Sequence, residues 1–229
     1  MSKKVCVVIG IGPKNGASFA RKFSAEGYAV ALLSRKTELS EKLAAELGDA
    51  RAYACDVTDA DAIAKAFEAV RKDLGEVDVL VYNAGSGTWG NIEVLEADAF
   101  ERAWRINTMG LFNCAKQIIP AMKARKAGSI VIVGATASLR GKPFTTAFAP
   151  AKAAQRSLAQ AMARHLGPQG IHVSLIIVDG GIGDAGAADP AAPEQLDPEH
   201  IAHAAHFLAE QPRSAWTFEL DVRPSQESW

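Results

Sequence analysis

The sequence has 229 residues, of which 48% are apolar and 22% charged, and this balance allows a sizeable core beneath a polar surface. Its 25 Lys and Arg residues nearly match its 26 Asp and Glu residues, so no strong net field exists to attract nucleic acid or an acidic membrane surface. We therefore expect a small-molecule ligand, with no nucleic-acid or membrane partner.

Short apolar runs alternate with helical patterns along the chain. In chain order, the predicted strands are Val5–Ile9, Tyr28–Leu33, Arg51–Ala54, Val77–Tyr82, Ser129–Val133, Ile171–Val178 and Phe218–Val222. The predicted helices between them are Ala17–Glu26, Glu38–Leu47, Ala60–Leu74, Ala97–Arg125, Phe148–Leu166 and Glu199–Glu210. This βαβ rhythm predicts an α/β fold, a Rossmann-like doubly wound parallel sheet of about seven strands with helices on both faces. We expect one domain over residues 1–229.

Three further features bear on this outline. Pro120 lies late in the long helical stretch and predicts a kink or an early end there. Residues Gly180–Pro198 are rich in Gly, Ala, Pro and Asp and predict a flexible loop on the substrate side. The three cysteines form no CxxC pair and are odd in number, which favours buried free thiols and a cytoplasmic location.

A glycine-rich turn follows the first predicted strand. It reads Gly10-Ile11-Gly12-Pro13-Lys14-Asn15-Gly16 and opens the first helix, where backbone N–H groups can approach a pyrophosphate over a helix N-terminus. A tight turn between strand and helix also needs glycine for conformational reasons alone. The turn by itself is therefore a weak indication of a dinucleotide site.

Together with later motifs, this turn resembles the short-chain dehydrogenase/reductase family, whose turn reads Thr-Gly-x-x-x-Gly-x-Gly. Gly10 and Gly16 match its first and last glycines, whereas Lys14 stands at the middle glycine and Ile9 at the threonine. The lysine either crowds the pyrophosphate or reaches a phosphate as a point charge. Asp56 matches the family's adenine-contacting aspartate, and Asn83-Ala84-Gly85 its Asn-Ala-Gly turn.

The resemblance implies a nicotinamide cofactor. The second strand ends in Ser34-Arg35 instead of an acidic residue, so NADP(H) is favoured over NAD(H) because Arg35 suits a 2′-phosphate. A solvated loop arginine is the alternative reading. The candidate cofactor residues are Gly10, Gly12, Lys14, Asn15, Gly16, Ser34, Arg35, Asp56, Val57, Asn83, Ala84, Gly85 and Lys152.

The stretch from Gly128 to Val173 resembles the family's active-site half. Lys152 matches the lysine of its Tyr-x-x-x-Lys motif, and Asn107 matches the asparagine of its catalytic tetrad. Phe148 stands where the family has its tyrosine, and Ala135 where it has its serine. A subgroup of the family shares the altered glycine turn and Phe-x-x-x-Lys, and the chain is most similar to that subgroup.

These two replacements remove the usual acid and the hydroxyl that polarises a carbonyl. Positioned acid–base catalysis typically contributes a factor of about 10²–10⁴ to the rate, so ordinary turnover is expected to be slower by a factor of that order. The nearby hydroxyls are much weaker acids than a phenol and would need a relay. They belong to Thr136, Ser138, Thr145 and Thr146.

Two other groups of residues leave alternatives open. Asp179 follows the sixth strand where the family has Pro-Gly, and is either a functional carboxylate or a cap of the turn with Gly180. Three histidines recur on one predicted helix, at His200, His203 and His206, with no cysteine near them. We therefore expect surface histidines and no metal site. The four tryptophans are expected in the core or in subunit contacts.

Two main functions remain on these grounds. One is NADP(H)-dependent hydride transfer to or from a small carbonyl or alcohol, with an unrecognised proton donor. The alternative is a catalytically inactive nucleotide- or ligand-binding protein that acts as a sensor or partner subunit. A structural oligomer that binds no nucleotide is the least favoured. The family resemblance implies a homodimer or homotetramer packed through the helices that carry Asn107 and Lys152.

Overall fold

A computed structural model describes residues 3–186 and 195–227. The strands are β1 (Val5–Ile9), β2 (Ala29–Ser34), β3 (Ala50–Ala54), β4 (Val77–Tyr82), β5 (Gly128–Val133), β6 (Ile171–Val178) and β7 (Glu219–Val222). The helices are α1 (Asn15–Ala25), α2 (Glu38–Leu47), α3 (Ala60–Asp73), α4 (Ala97–Trp104), α5 (Gly110–Arg125), α6 (Phe148–Leu166) and α7 (Pro198–Ala209). The predicted strands and helices are confirmed, with shifts of one or two residues at several ends, except that the predicted helix Ala97–Arg125 is divided in two.

All seven strands form one parallel sheet in the order β3-β2-β1-β4-β5-β6-β7, so the predicted fold class is confirmed. Side chains alternate between its faces because successive residues of a strand point to opposite sides. Val5, Val7 and Ile9 of β1 pack with α3, α5 and α6, whereas Cys6 and Val8 pack with α1, α2 and α7. Buried apolar strands covered on both faces are what a parallel sheet requires.

The long predicted helix Ala97–Arg125 is interrupted at a place the sequence did not indicate. A π-helical turn, Arg105–Met109, separates α4 from α5, while α5 runs through Pro120 to Arg125. The predicted early end at Pro120 is therefore wrong. Single π-helical turns inside helices are frequently found at functional sites, and this one carries Asn107.

The remaining sequence predictions about chain segments have mixed outcomes. Cys6, Cys55 and Cys114 are buried free thiols, as expected. Residues 180–186 and 195–197 of the predicted loop are described, with Ile182 and Leu196 paired in a short bridge, and residues 187–194 lie outside the described part. No helix in residues 3–186 and 195–227 combines the length and apolar character needed to cross a bilayer.

Candidate active site

The site lies at the carboxyl edge of the sheet, where the strand order changes direction at β1 and β4. In doubly wound sheets this crevice is where ligands bind. The glycine turn after β1 packs on the turn after β4: the Asn83 side-chain amide donates to the Gly10 carbonyl over 2.8 Å. A Cβ on Gly10 would lie 2.6 Å from the Ala84 nitrogen, and one on Gly16 would lie 2.6 Å from the Gly10 oxygen.

Gly10 and Gly16 are thus required by the packing of the protein itself, and Gly10 also has φ of +89°. Gly12 is different, since a Cβ there would meet nothing within 4 Å and its φ is not in the left-handed region. Gly12 borders a cavity of about 250 Å³. The lack of a side chain at Gly12 leaves this cavity open.

We name this space the Arg35 cavity; it is bounded by the ends of β1, β2 and β4 and by the turn after β3. Its lining includes the following candidate cofactor residues: Gly10, Gly12, Ser34, Arg35, Asp56, Val57, Asn83, Ala84 and Gly85. Arg35 is exposed. The Ser34 hydroxyl is already engaged with the Lys36 carbonyl, at 2.7 Å, and with the Ser40 hydroxyl, at 2.6 Å.

Asp56 presents an ionised carboxylate to the Arg35 cavity. Burial alone would raise its pKa, but hydrogen bonds from the Thr58 backbone and hydroxyl, together with the nearby Arg35 and Arg102 guanidiniums, outweigh burial and hold the pKa below its usual value. Both Thr58 bonds, at 2.9 and 2.8 Å, go to Oδ1. The Asp56 carboxylate can therefore act as a fixed hydrogen-bond acceptor.

A second and larger space, about 520 Å³, lies beside the first at the ends of β4, β5 and β6, and we name it the Lys152 cavity. Its lining includes Asn15, Asn83 and Gly85 from the cofactor motifs and Ala135, Phe148 and Lys152 from the active-site motifs. The structure therefore brings together two sets of sequence-predicted residues. Ser34, Arg35 and Asp56 are not among the residues of this cavity's wall.

Lys152 is the buried cation of this cavity, with 5% of the residue exposed. Its Nζ donates to the Val133 carbonyl over 2.9 Å and to Oε1 of Gln155 over 3.0 Å. Burial lowers the pKa of the ammonium from 10.5 to about 7. A lysine in this state exchanges a proton readily near neutral pH.

Gln155 links Lys152 to the π-helical turn. Its Nε2 donates to the backbone carbonyl of Asn107 over 2.8 Å, and its side chain is fully buried. Because that carbonyl can only accept, the amide oxygen must face the Lys152 ammonium. Gln155 was not predicted from the sequence, although its position three residues after Lys152 places it on the same face of α6.

Asn107 lies close to the turn after β4. Its Nδ2 donates to the Ala103 carbonyl over 2.8 Å, while its buried Oδ1 has no protein partner among the described residues. A Cβ on Gly85 would lie 3.5 Å from this Oδ1 and 3.8 Å from the Lys152 Nζ. Asn107 Oδ1 and Lys152 Nζ thus both lie beside position 85, at distances that an added Cβ would meet as ordinary van der Waals contacts.

Phe148 and Ala135 leave the cavity without the usual phenol and hydroxyl. The Phe148 ring centroid lies 5.9 Å from the Lys152 Nζ and 5.2 Å from the Trp89 ring. The Thr136 and Thr145 hydroxyls border the same cavity but donate to the Val178 and Lys142 carbonyls, at 3.2 and 2.9 Å.

The other candidate donors are less well placed. The Thr146 hydroxyl is directed to the Pro143 carbonyl, and the buried Ser138 oxygen does not reach the wall of the Lys152 cavity. Tyr82 is buried, and its hydroxyl donates to the Ile106 carbonyl over 2.5 Å. Lys152 is therefore the best-placed proton donor of the cavity.

The side chain of Lys14 is engaged within the protein, and whether it crowds a pyrophosphate or contacts a phosphate stays a prediction. Its Nζ donates to the Ile182 carbonyl over 2.6 Å and lies 3.7 Å from an Asp184 carboxylate oxygen. Lys14 thus connects the glycine turn to the segment after β6. The ammonium stands at the crevice between these two segments, with its charge partly balanced by Asp184.

Asp179 is a carboxylate of the Lys152 cavity and is 5% exposed. Its oxygens lie 3.6 Å from the Arg140 guanidinium and 3.4 Å from that of Arg223. The sequence left two interpretations of Asp179 open, a functional carboxylate and a cap of the turn with Gly180. The structure adds a third role, because Asp179 is the centre of an ion-pair cluster. This cluster joins the ends of β6 and β7 to the segment after β5.

The histidine and tryptophan predictions hold only in part. His200 and His203 are exposed, whereas His206 is half-buried, with its ring 5.5 Å from Phe23. Trp216 stacks on His172 at 4.8 Å, but Trp89 is 58% exposed and lines the Lys152 cavity. Trp89 is therefore not a core residue, whereas its contact with another subunit stays a prediction. Trp229 lies outside the described residues.

Comparisons with known proteins agree with this geometry. A family model described as short chain dehydrogenase matches residues 4–190. A protein of Xanthobacter autotrophicus named inactive 2-(S)-hydroxypropyl-CoM dehydrogenase 2 is 37% identical over 158 residues, which is 69% of each chain.

Two solved structures share the whole fold. An alcohol dehydrogenase from the archaeon Thermococcus sibiricus, complexed with 5-hydroxy-NADP, superposes with a TM-score of 0.88 at 26% identity, covering 98% of both chains. An NAD⁺-bound xylitol dehydrogenase superposes with a TM-score of 0.86 at 27% identity, covering 96% of this chain and 98% of the other. With the family match spanning well over half of the 229 residues, this chain belongs to the short-chain dehydrogenase family.

Proposed function

We propose that the protein is an NADP(H)-dependent oxidoreductase that acts on a small carbonyl compound or alcohol, with Lys152 exchanging the proton that a tyrosine would otherwise exchange. The observation that supports this most directly is the buried Lys152 ammonium in the wall of the 520 Å³ cavity, beside Phe148 and Ala135. A base or acid with a pKa near the working pH is the most efficient proton-transfer group.

The residues of the Arg35 cavity fit a nicotinamide dinucleotide. Gly12 leaves its space open, Asp56 offers a charged acceptor, and Arg35 offers a cation. Asn15, at the start of α1, has a buried Oδ1 that no described residue satisfies. When bound, the nicotinamide would supply the two-electron oxidation or reduction. Relatives that carry either NADP-type or NAD⁺ ligands are known, and we propose the phosphorylated form because of Arg35.

The proton step follows from the hydrogen bonds of Lys152. Two of the three ammonium protons are held by the Val133 carbonyl and the Gln155 amide oxygen, so one remains for a substrate oxygen in the cavity. In carbonyl reduction this proton moves to the developing alkoxide, and in alcohol oxidation the neutral amine accepts it. The buried lysine thus serves both directions according to pH.

The test combines binding with pH-dependent turnover. Calorimetric titration should show tighter binding of NADPH than of NADH. Reduction of a panel of carbonyl compounds should decline as the pH rises through about 7, because the ammonium form is lost, whereas alcohol oxidation should increase over the same range. A rate with no pH dependence near 7, or no binding of either nucleotide at millimolar concentration, would contradict the proposal.

A catalytically inactive ligand-binding protein is the second candidate. It is favoured because Phe148 and Ala135 replace the usual tyrosine and serine, and because the Thr136 and Thr145 hydroxyls already donate hydrogen bonds to backbone carbonyls. Membership of the Phe-x-x-x-Lys subgroup, which the sequence predicts, would fit either candidate. Nucleotide binding without turnover on any carbonyl or alcohol, at any pH, would establish this second function.

We also propose that the chain assembles as a dimer or tetramer through α5 and α6. Phe112 of α5 and Trp104 at the end of α4 are 42% and 39% exposed, and such aromatic side chains are enriched at subunit interfaces. Light scattering should give a mass at least twice that of the 24.2 kDa chain. A monomer at micromolar concentration would refute this assembly.

A further inference from the structure

Three aromatic rings line one side of the Lys152 cavity, and two of them are more exposed than buried. Trp89 and Phe144 are 58% and 52% exposed, and the Trp89 ring lies 5.9 Å from Phe144 and 5.2 Å from Phe148. Exposed apolar side chains clustered around a cavity are typical of ligand sites. This aromatic wall favours a ligand with an aromatic body, which can stack on or pack edge-on against the rings.

The backbone that carries these rings is held in place. Gly90, next to Trp89, forms a bridge with Thr145, next to Phe144. The Gly90 nitrogen donates to the Phe144 carbonyl over 2.9 Å, and the Thr146 nitrogen donates to the Gly90 carbonyl over 3.3 Å. The wall is therefore built by pairing of two distant segments before any ligand is present, which lowers the ordering cost of binding.

Two cations stand on the same segment as Phe144. Arg140 and Lys142 both border the cavity, and the Lys142 backbone is fixed by the Thr145 hydroxyl over 2.7 Å. The Arg140 side chain is 46% exposed and lies 3.6 Å from Asp179, which is too long for a hydrogen bond. Its guanidinium therefore keeps donors available for a planar anion.

The lining of the cavity carries three cationic side chains, Arg140, Lys142 and Lys152, and two carboxylates, Asp179 and Glu227. Asp179 also pairs with Arg223, which in turn pairs with Asp221. Glu227 lies near Gly180, with its Oε2 3.4 Å from the place of a Gly180 Cβ. The end of the cavity formed by Arg140, Lys142 and Phe144 therefore combines an apolar surface with positive charge.

We infer that the Lys152 cavity takes an aryl carbonyl compound or alcohol that carries a carboxylate, with its ring on Trp89 and Phe144 and its carboxylate toward Arg140 and Lys142. The reaction assigned to this ligand rests on the proposed function above. Binding of the ligand rests only on the wall and the two cations, so the two ideas can fail separately.

The experiment compares three probes by calorimetric titration of the purified full chain, with and without saturating NADP⁺. Phenylglyoxylate has both a ring and a carboxylate, acetophenone has only the ring, and pyruvate has only the carboxylate. Phenylglyoxylate should bind at least about tenfold more tightly than either of the other two. Equal affinity for phenylglyoxylate and acetophenone would overturn the assignment of the anion site.

Variants then assign the two halves of the site. Trp89→Ala should weaken phenylglyoxylate and acetophenone about tenfold and leave pyruvate unchanged. Lys142→Gln, and more strongly Arg140→Gln, should weaken phenylglyoxylate toward the affinity of acetophenone without changing acetophenone itself. Lys123→Gln on the exposed surface of α5 is the matched control and should change none of the three affinities.

Because Arg140 also faces Asp179, thermal unfolding of Arg140→Gln must match that of the native chain before its affinity is interpreted. If Arg140→Gln unfolds at a lower temperature than the native chain, the affinity of Lys142→Gln for phenylglyoxylate is the test of the anion site. Binding of phenylglyoxylate with no nucleotide binding would retain this inference and reject the proposed function. Nucleotide binding with no preference among the three probes would do the reverse.

Discussion

The two cavities at the carboxyl edge of the sheet differ in what forms their walls. The Arg35 cavity is shaped mainly by backbone turns, since Gly10 and Gly16 fit against neighbouring main chain with no room for a Cβ. The Lys152 cavity is shaped by side chains, with Phe148, Ala135 and Trp89 in its wall. A backbone-built site tolerates little change, because altering it would disturb the packing of β1 on β4, whereas a side-chain-built site can change its chemistry on an unchanged fold.

The strongest test of this difference between the cavities is to restore the missing hydroxyls of the Lys152 cavity. The double substitution Phe148→Tyr with Ala135→Ser should raise NADPH-dependent carbonyl reduction by about 10²–10⁴-fold, because a phenol beside Lys152 replaces an ammonium as the donor. Turnover of a carbonyl panel, measured by NADPH oxidation, checks the gain. If the double variant binds NADPH but gains nothing, the cavity does not position substrate for reduction.

Removal of the buried lysine tests whether Lys152 is the proton donor of the Lys152 cavity. Lys152→Met keeps an unbranched side chain one atom shorter but removes the ammonium and its protons, and turnover should fall at least about 10²-fold. The Val133 carbonyl and the Gln155 oxygen lose their donor in this variant, so circular dichroism must show an intact fold. Wild-type turnover in a folded Lys152→Met protein would exclude Lys152 as the proton donor.

The Arg35 cavity is tested by reversing one charge. Arg35→Glu should weaken NADPH binding by about tenfold or more, since a charged hydrogen bond of roughly 1.5–3 kcal/mol is lost, and should leave NADH unchanged or slightly tighter. Lys36→Glu makes the same change in net charge one residue further on, outside the lining of the cavity. Equal loss of NADPH affinity in both variants would indicate general electrostatics in place of a specific contact.

The smallest effect concerns Gln155, which holds Lys152 against the π-helical turn. Gln155→Met removes the acceptor and should lower the pKa of Lys152 further, whereas Gln155→Glu adds a negative charge and should raise it. NMR titration of carbon-labelled lysine in the protein without ligand measures both shifts, and the midpoint of the pH–rate profile should move in the same directions. Gln169→Met, a surface glutamine bonded to His165, is the control. An unchanged pKa in both Gln155 variants would mean that burial alone sets it.

Much of the crevice was predictable because its motifs are local. The turns at Gly10–Gly16 and Asn83–Gly85 each follow a buried strand, and parallel strands bring such turns to one edge of the sheet. The positions of Lys152 and Asn107 follow from their motifs in the same way. The aromatic wall and the bond from Gln155 to the Asn107 carbonyl were missed, since both join segments far apart in sequence. Nothing in the local sequence indicated the π-helical turn.

The sequence by itself determined the order of strands and helices and the loss of the tyrosine and serine, because alternating burial and residue identity are local properties. The tertiary structure alone decided which partners the charged and polar side chains of the crevice bind. Lys14 bonds to a carbonyl 168 residues away, Gln155 bridges Lys152 to a carbonyl 48 residues away, and Asp179 lies between two arginines. A hydrogen bond or ion pair between distant segments exists only once the fold has brought them together, since no local pattern along the chain encodes such a partner.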